Sequence, residues 1–118
     1  MNYGLTESVI ECMCGVFSHY PQIEQVLLYG SRAKGNYRQG SDIDLTLVGG
    51  SGLTSAVLTK VLDELDDLLL PYAIDLSLLR TISDAAVLDH IQRVGVVVYE
   101  KERELRCRTR SYPFINRF

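Results

Sequence analysis

The chain has only three cysteines, Cys12, Cys14 and Cys107. An odd set cannot pair completely, and Cys12 and Cys14 stand two apart in a helical pattern that points their side chains in different directions. A disulfide framework is thereby excluded, and a reduced, cytoplasmic protein is predicted. Histidine occurs only at His19 and His90, so no second Cys or His pair at ligand spacing exists to build a zinc site. Both histidines fall on or near predicted helix ends and read as a surface residue and a cap. No apolar run approaches the roughly 18 residues that a membrane-spanning helix needs. A basic segment followed by an apolar stretch, the mark of a secretory leader, is also missing from the N-terminus. Repeats and low-complexity segments are absent. Basic charge is scarce where it would matter for nucleic acid: residues 1–99 hold six Lys and Arg against twelve Asp and Glu. Such a body is a poor match for a phosphate backbone.

What remains is an ordinary globular composition, 47% hydrophobic and 23% charged over 118 residues. That length gives one domain with a true core. Thr6 or Ser8 can cap a first helix whose apolar stripe is Val9, Ile10, Met13, Val16 and Phe17, with Pro21 as its stop. Ile23 to Tyr29 is a first strand. Residues 42–48 form a second, and Gly49 to Gly52 a flexible break. Thr54 or Ser55 caps a helix to about Leu70, apolar along Val57, Leu58, Val61, Leu62, Leu65, Leu68 and Leu69. Its acidic positions Asp63, Glu64, Asp66 and Asp67 form a solvated face. Pro71 ends it, and Tyr72 to Leu79 is a third strand. Ser83 or Asp84 caps a short helix that stops at Gly95, before the buried strand Val96 to Tyr99. The fold class is therefore α/β or α+β, a central mixed sheet of about four strands flanked by helices.

Two short stretches carry chemistry. The apolar run Val26 to Tyr29 stops abruptly at Gly30-Ser31, as when a buried strand delivers a small-residue turn to a sheet edge. Ten residues separate Ser31 from Asp42, and Asp42, Ile43, Asp44 and Leu45 then alternate with the period of a strand. Both carboxylates share one face. Like charges side by side repel, so a folded chain rarely keeps such a pair without a cation. Carboxylate oxygens suit Mg²⁺, which phosphoryl-transfer sites share between protein and substrate phosphates. Gly30 lets a phosphate approach the backbone closely, and Ser31 can donate from its hydroxyl and N–H. Arg32 and Lys34 are further candidates for phosphate contacts, or else solvated loop residues. Ser41 is another candidate for a phosphate contact, or else simply orients Asp42. Asp75 alternates with Ala73 and Ser77 on one face of the third strand. If that strand neighbours the second, Asp75 stands beside Asp42 and Asp44.

The wording Gly30-Ser31-Arg32-Ala33-Lys34-Gly35, then Ser41-Asp42-Ile43-Asp44-Leu45, resembles the minimal nucleotidyltransferase branch of the DNA polymerase β-like superfamily. The match runs from Leu28 to about Val48, with Ala73-Ile74-Asp75-Leu76 resembling the family's third-carboxylate strand. Lys34 departs from the Arg that many relatives carry, which keeps the charge and loses the bidentate fork. The resemblance implies a polymerase β-like fold over residues 1–99 and ATP as substrate. It also implies two Mg²⁺ ions held by Asp42, Asp44 and Asp75, with phosphates held by Gly30 and Ser31. Such proteins are commonly paired with a helical HEPN partner, so the implied reaction is transfer of AMP to a tyrosine of a HEPN-type RNase toxin. Two rivals stand beside it: an antitoxin that acts by binding alone, and a nucleotidyltransferase for a small molecule with a separate acceptor subunit. A domain this small lacks an evident acceptor-binding half, which favours a homodimer or heteromeric complex. Residues 100–118, with six basic residues against three acidic ones, form a basic and aromatic tail, read either as a disordered end or as a partner-binding segment.

Overall fold

The computed structural model describes residues 3–101; the tail reading therefore falls almost wholly outside the described residues. The elements run α1 (Glu7–Phe17), β1 (Gln25–Tyr29), α2 (Gly30–Lys34), β2 (Ile43–Val48), α3 (Ser55–Asp67), β3 (Ile74–Leu78), a 3₁₀ turn (Leu79–Thr81), α4 (Ala85–Val94) and β4 (Val96–Glu100). The strands form one sheet in the order β3-β2-β1-β4. β1 is antiparallel to β2 and β4, and β2 is parallel to β3. The sheet is mixed, as the strand pattern predicted.

Local chemistry sets the helix starts. Thr6 Oγ1 accepts the Val9 N–H at 3.1 Å, Thr54 Oγ1 the Val57 N–H at 3.4 Å, and Asp84 Oδ1 the Ala86 N–H at 2.9 Å. Each bond satisfies a donor that the first helical turn leaves free. The ends fall short of the sequence expectation. α1 closes at Phe17, where the Ser18 hydroxyl bonds the Gly15 carbonyl at 2.7 Å, well before Pro21. α3 closes at Asp67 rather than near Leu70. The ring of Pro71 disfavours helical backbone at Leu70. The N–H groups of Leu68 and Leu69 tighten onto the carbonyls of Leu65 and Asp66, and Leu69 turns left-handed at φ 55°. Leu69 is consequently 87% exposed, outside the apolar face that the periodicity gave it.

One sheet face carries the core. Val26 and Leu28 of β1 and Ile43, Leu45 and Leu47 of β2 are buried against Met13, Val16 and Phe17 of α1 and Val61 and Leu65 of α3. Burying each large aliphatic side chain is worth about 1.5–3 kcal/mol, so these alternate positions fix the register and commit the intervening residues to the opposite face. On that second face Tyr29, Asp44 and Asp75 are cross-strand partners in one row, and Leu27, Thr46 and Ser77 in the next. Helix α4 packs against β1 and α2, and its Ile91 is buried outside the main core cluster.

Candidate active site

The site begins where β1 runs directly into α2. Gly30 makes the junction with φ +79°, a left-handed conformation that a side chain would strain. A β-carbon there would also collide with Asp44 Oδ2. The glycine thus permits both the turn and the close approach of a carboxylate from the neighbouring strand. Ser31 follows, half-buried, with its carbonyl receiving the Gly35 N–H at 2.9 Å.

Asp44 lies half-buried in β2, between Tyr29 and Asp75 in the row. Burial pushes its carboxyl above the usual carboxylate range, and the charges of Asp75 and Asp42 push it further. His90 acts in the opposite direction. Asp42 is exposed just before β2, and Asp75 is exposed on β3. Asp44 feels both neighbouring carboxylates, yet no group of three or more His, Cys, Asp or Glu among the described residues is gathered closely enough to hold a metal ion. As donors, three carboxylates with one short of full solvation suit a hard divalent cation such as Mg²⁺. Burial raises the pKa of the Tyr29 hydroxyl, the nearby Ser77 hydroxyl opposes that, and the charges of Asp75 and Asp44 raise it further. Ser77 in turn donates to Thr46 Oγ1 at 3.1 Å.

Arg32 is placed differently from a phosphate ligand. Its side chain points into the protein and the residue is only 2% exposed. Nε and Nη2 donate to the Ser41 carbonyl at 3.2 and 2.9 Å, and Nη1 to the Tyr3 carbonyl at 3.0 Å. The Tyr37 and Tyr72 rings lie 5.2 and 4.9 Å from its guanidinium carbon. A guanidinium suits such a place because its planar donors and stacking faces are satisfied together. Arg32 therefore ties the segment before Asp42 to the N-terminal turn at Tyr3. Ser41 serves the same loop: its hydroxyl receives the Arg38 N–H at 2.8 Å and its carbonyl holds Arg32. Lys34 is exposed at the end of α2.

The residue that sequence reasoning missed is His90. From α4 its Nε2 accepts the Gly30 N–H at 2.9 Å, and its ring meets the Tyr29 ring edge-on at 6.2 Å. A cap reading placed it at a helix end; in the fold it sits over the Gly-Ser turn. No local motif announces this, since it depends on how α4 docks.

A small-residue turn beside paired strand carboxylates on a mixed sheet defines a nucleotidyltransferase type of site. The family model described as "Polymerase beta, Nucleotidyltransferase" matches residues 13–104, and the chain belongs to that family. No curated protein matches the chain. Among solved structures, a toxin–antitoxin complex with AMP-PNP contains a similar chain, with TM-score 0.62 and 20% identity, covering 83% of this chain and 76% of that one. An MNT antitoxin in complex with a tri-AMPylated Shewanella oneidensis HEPN toxin is similar at TM-score 0.61 and 15% identity, over 82% and 74%. A toxin–antitoxin MntA-HepT structure gives TM-score 0.60 and 15% identity, over 81% and 74%. At these identities the likeness establishes the shared fold. No helix among the described residues is long and apolar enough to cross a membrane.

Proposed function

We propose that this chain is an Mg²⁺-dependent nucleotidyltransferase that moves AMP from ATP to a tyrosine hydroxyl of a helical, HEPN-type RNase toxin, acting as its antitoxin. The observation that carries the reading is the row Tyr29–Asp44–Asp75 laid across three strands beside the Gly30–Ser31 turn. Asp44, crowded by two like charges, is a carboxylate that a divalent cation would relieve. The similarity to an antitoxin seen with an AMPylated toxin supports the acceptor class.

In this reading Gly30 and Ser31 bind the β- and γ-phosphates, the first by admitting them to the backbone and the second through its hydroxyl and N–H. Asp42 and Asp44 would hold one Mg²⁺, and Asp75 would join them for a second. When bound, the ions neutralise phosphate charge and make the acceptor hydroxyl easier to deprotonate. The hydroxyl loses its proton to solvent, its oxygen forms a bond to the α-phosphorus, the bond from that phosphorus to the bridging oxygen breaks, and pyrophosphate leaves. The chain's own contribution is positioning. The core holds the Asp44 backbone, Arg32 anchors the loop before Asp42, and Gly30 keeps the approach open.

The catalytic unit includes all of β4 through Glu100, the basic and aromatic tail after it is a partner-binding segment, and the setting is cytoplasmic. The acidic body disfavours a nucleic-acid acceptor. The test is the intact mass of the cognate toxin after incubation with this protein, ATP and Mg²⁺. Addition of one or more AMP units, lost in the Asp42→Asn, Asp44→Asn double variant, is expected. A stable complex without added mass would replace the enzyme with an antitoxin that acts by contact. Neither addition nor complex would turn the search to a small-molecule acceptor.

A further inference from the structure

The Gly30 N–H is one donor, and His90 already occupies it. An imidazole nitrogen that accepts this N–H must carry a lone pair there, so the ring is held with its proton on Nδ1. The nucleotide reading assigns the same stretch of backbone to a phosphate. One N–H serves one strong acceptor well, and a charged phosphate oxygen forms a hydrogen bond about twice as strong as a neutral one. The two cannot hold the donor together.

We propose that His90 stands in for a nucleotide phosphate oxygen, and that nucleotide binding displaces its imidazole from the Gly30 N–H. The inference rests on the nucleotide-site reading and deepens it, because it places a regulatory contact inside the phosphate cradle. The stand-in has two supports in the structure: the 2.9 Å bond to Gly30 and the edge-on contact with Tyr29. His90 thus faces the turn and the Tyr29 end of the row. Because it belongs to α4, its release is felt by the helix that packs on β1 and α2. His90 is a positioning residue here and makes no contact with the reacting atoms.

The stand-in lowers nucleotide affinity by the strength of the bond that must be broken. His90→Ala should therefore bind AMP-PNP more tightly, by about two- to tenfold, the size of one net protein hydrogen bond. Alanine favours helix, so α4 is retained. His90→Gln, which keeps a side-chain acceptor, should stay within about twofold of the original protein. Calorimetry with AMP-PNP measures both, and the His90 imidazole ¹⁵N resonances of the unsubstituted protein are followed in the same titration. The Nε2 resonance should move as the analogue binds. Weaker binding by His90→Ala would make the imidazole a phosphate ligand and overturn the proposal. Binding of the analogue with a stationary Nε2 resonance would also overturn it while leaving the nucleotide site intact. If the unsubstituted protein and both variants all fail to bind, the nucleotide reading itself falls and takes this one with it.

Discussion

Gly30 lies directly against the Asp44 carboxylate, close enough that a β-carbon on the first would strike Oδ2 of the second. The glycine's φ of +79° adds a second reason for its identity. Gly30→Ala should therefore act twice: the left-handed backbone costs about 1–2 kcal/mol, and Asp44 must move from the row it shares with Tyr29 and Asp75. We expect a lower midpoint in urea and loss of transfer that persists at saturating ATP. Retained transfer with an unchanged midpoint would mean that the turn has room that this geometry denies it.

Arg32 makes the opposite kind of prediction, one about stability. Three of its donors are committed to the Tyr3 and Ser41 carbonyls, and two tyrosine rings flank it. Lysine preserves the charge and cannot reproduce the fork. Hydrogen bonds to charged groups contribute about 1.5–3 kcal/mol each, so Arg32→Lys should destabilise by roughly 2–4 kcal/mol in chemical denaturation. Its effect on ATP affinity should be indirect and smaller than that of Ser31→Ala. A variant that kept full stability and lost ATP binding would return Arg32 to the phosphates.

These two residues mark how far the sequence could be read. Alternation along Ile43, Asp44, Leu45, Thr46 and Leu47 placed the core and the polar face correctly, because a strand's period of two leaves no other assignment once one face is buried. Asp75 was legible as a strand residue, and its pairing with Asp44 needed the parallel register of β2 and β3. Arg32 was read by its charge, since nothing local reveals that Tyr3, Tyr37 and Tyr72 close around it. His90 was read from its place near a helix end, while its partner Gly30 lies sixty residues away. Helix ends were misjudged where a proline acted at a distance of several residues. Asp44 and Asp75 stand side by side, Asp42 lies just before β2 rather than within it, and the three do not form a closed metal set among the described residues. Pairing and docking, which local pattern does not encode, account for each difference.

In the row next to Asp44 and Asp75 stands a polar pair, Thr46 and Ser77. Thr46 is fully buried, half-buried Ser77 donates to its hydroxyl at 3.1 Å, and Tyr29 is close enough to feel the Ser77 hydroxyl. Thr46→Val keeps the shape and removes the acceptor. A buried hydroxyl left without its partner costs about 1–3 kcal/mol, so the midpoint in urea should fall accordingly. Tyr29 would lose a fixed neighbour, and transfer should decline modestly with ATP affinity nearly unchanged.

Asp44 yields a dependence on pH and on divalent cation. Its carboxyl is raised above the ordinary 3.8 by burial, then by Asp75 and Asp42. The folded state therefore binds this proton more tightly than the unfolded chain does. Its stabilising effect is present below the unfolded value and is lost as pH rises through the folded one. At neutral pH the ionised Asp44 is a liability that a bound cation removes. Asp44→Asn should melt higher than the original protein in metal-free buffer at neutral pH, and the difference should vanish at strongly acid pH. Transfer should meanwhile fall by at least about a hundredfold, since even partners behind a metal ligand are worth 10–100-fold. Mg²⁺ at a hundred times its dissociation constant should stabilise the original protein by about 2.7 kcal/mol, and chelation should reverse it. In Asp44→Asn that shift should be nearly abolished. An equal Mg²⁺ shift in both proteins would place the cation elsewhere and detach Asp44 from the metal role.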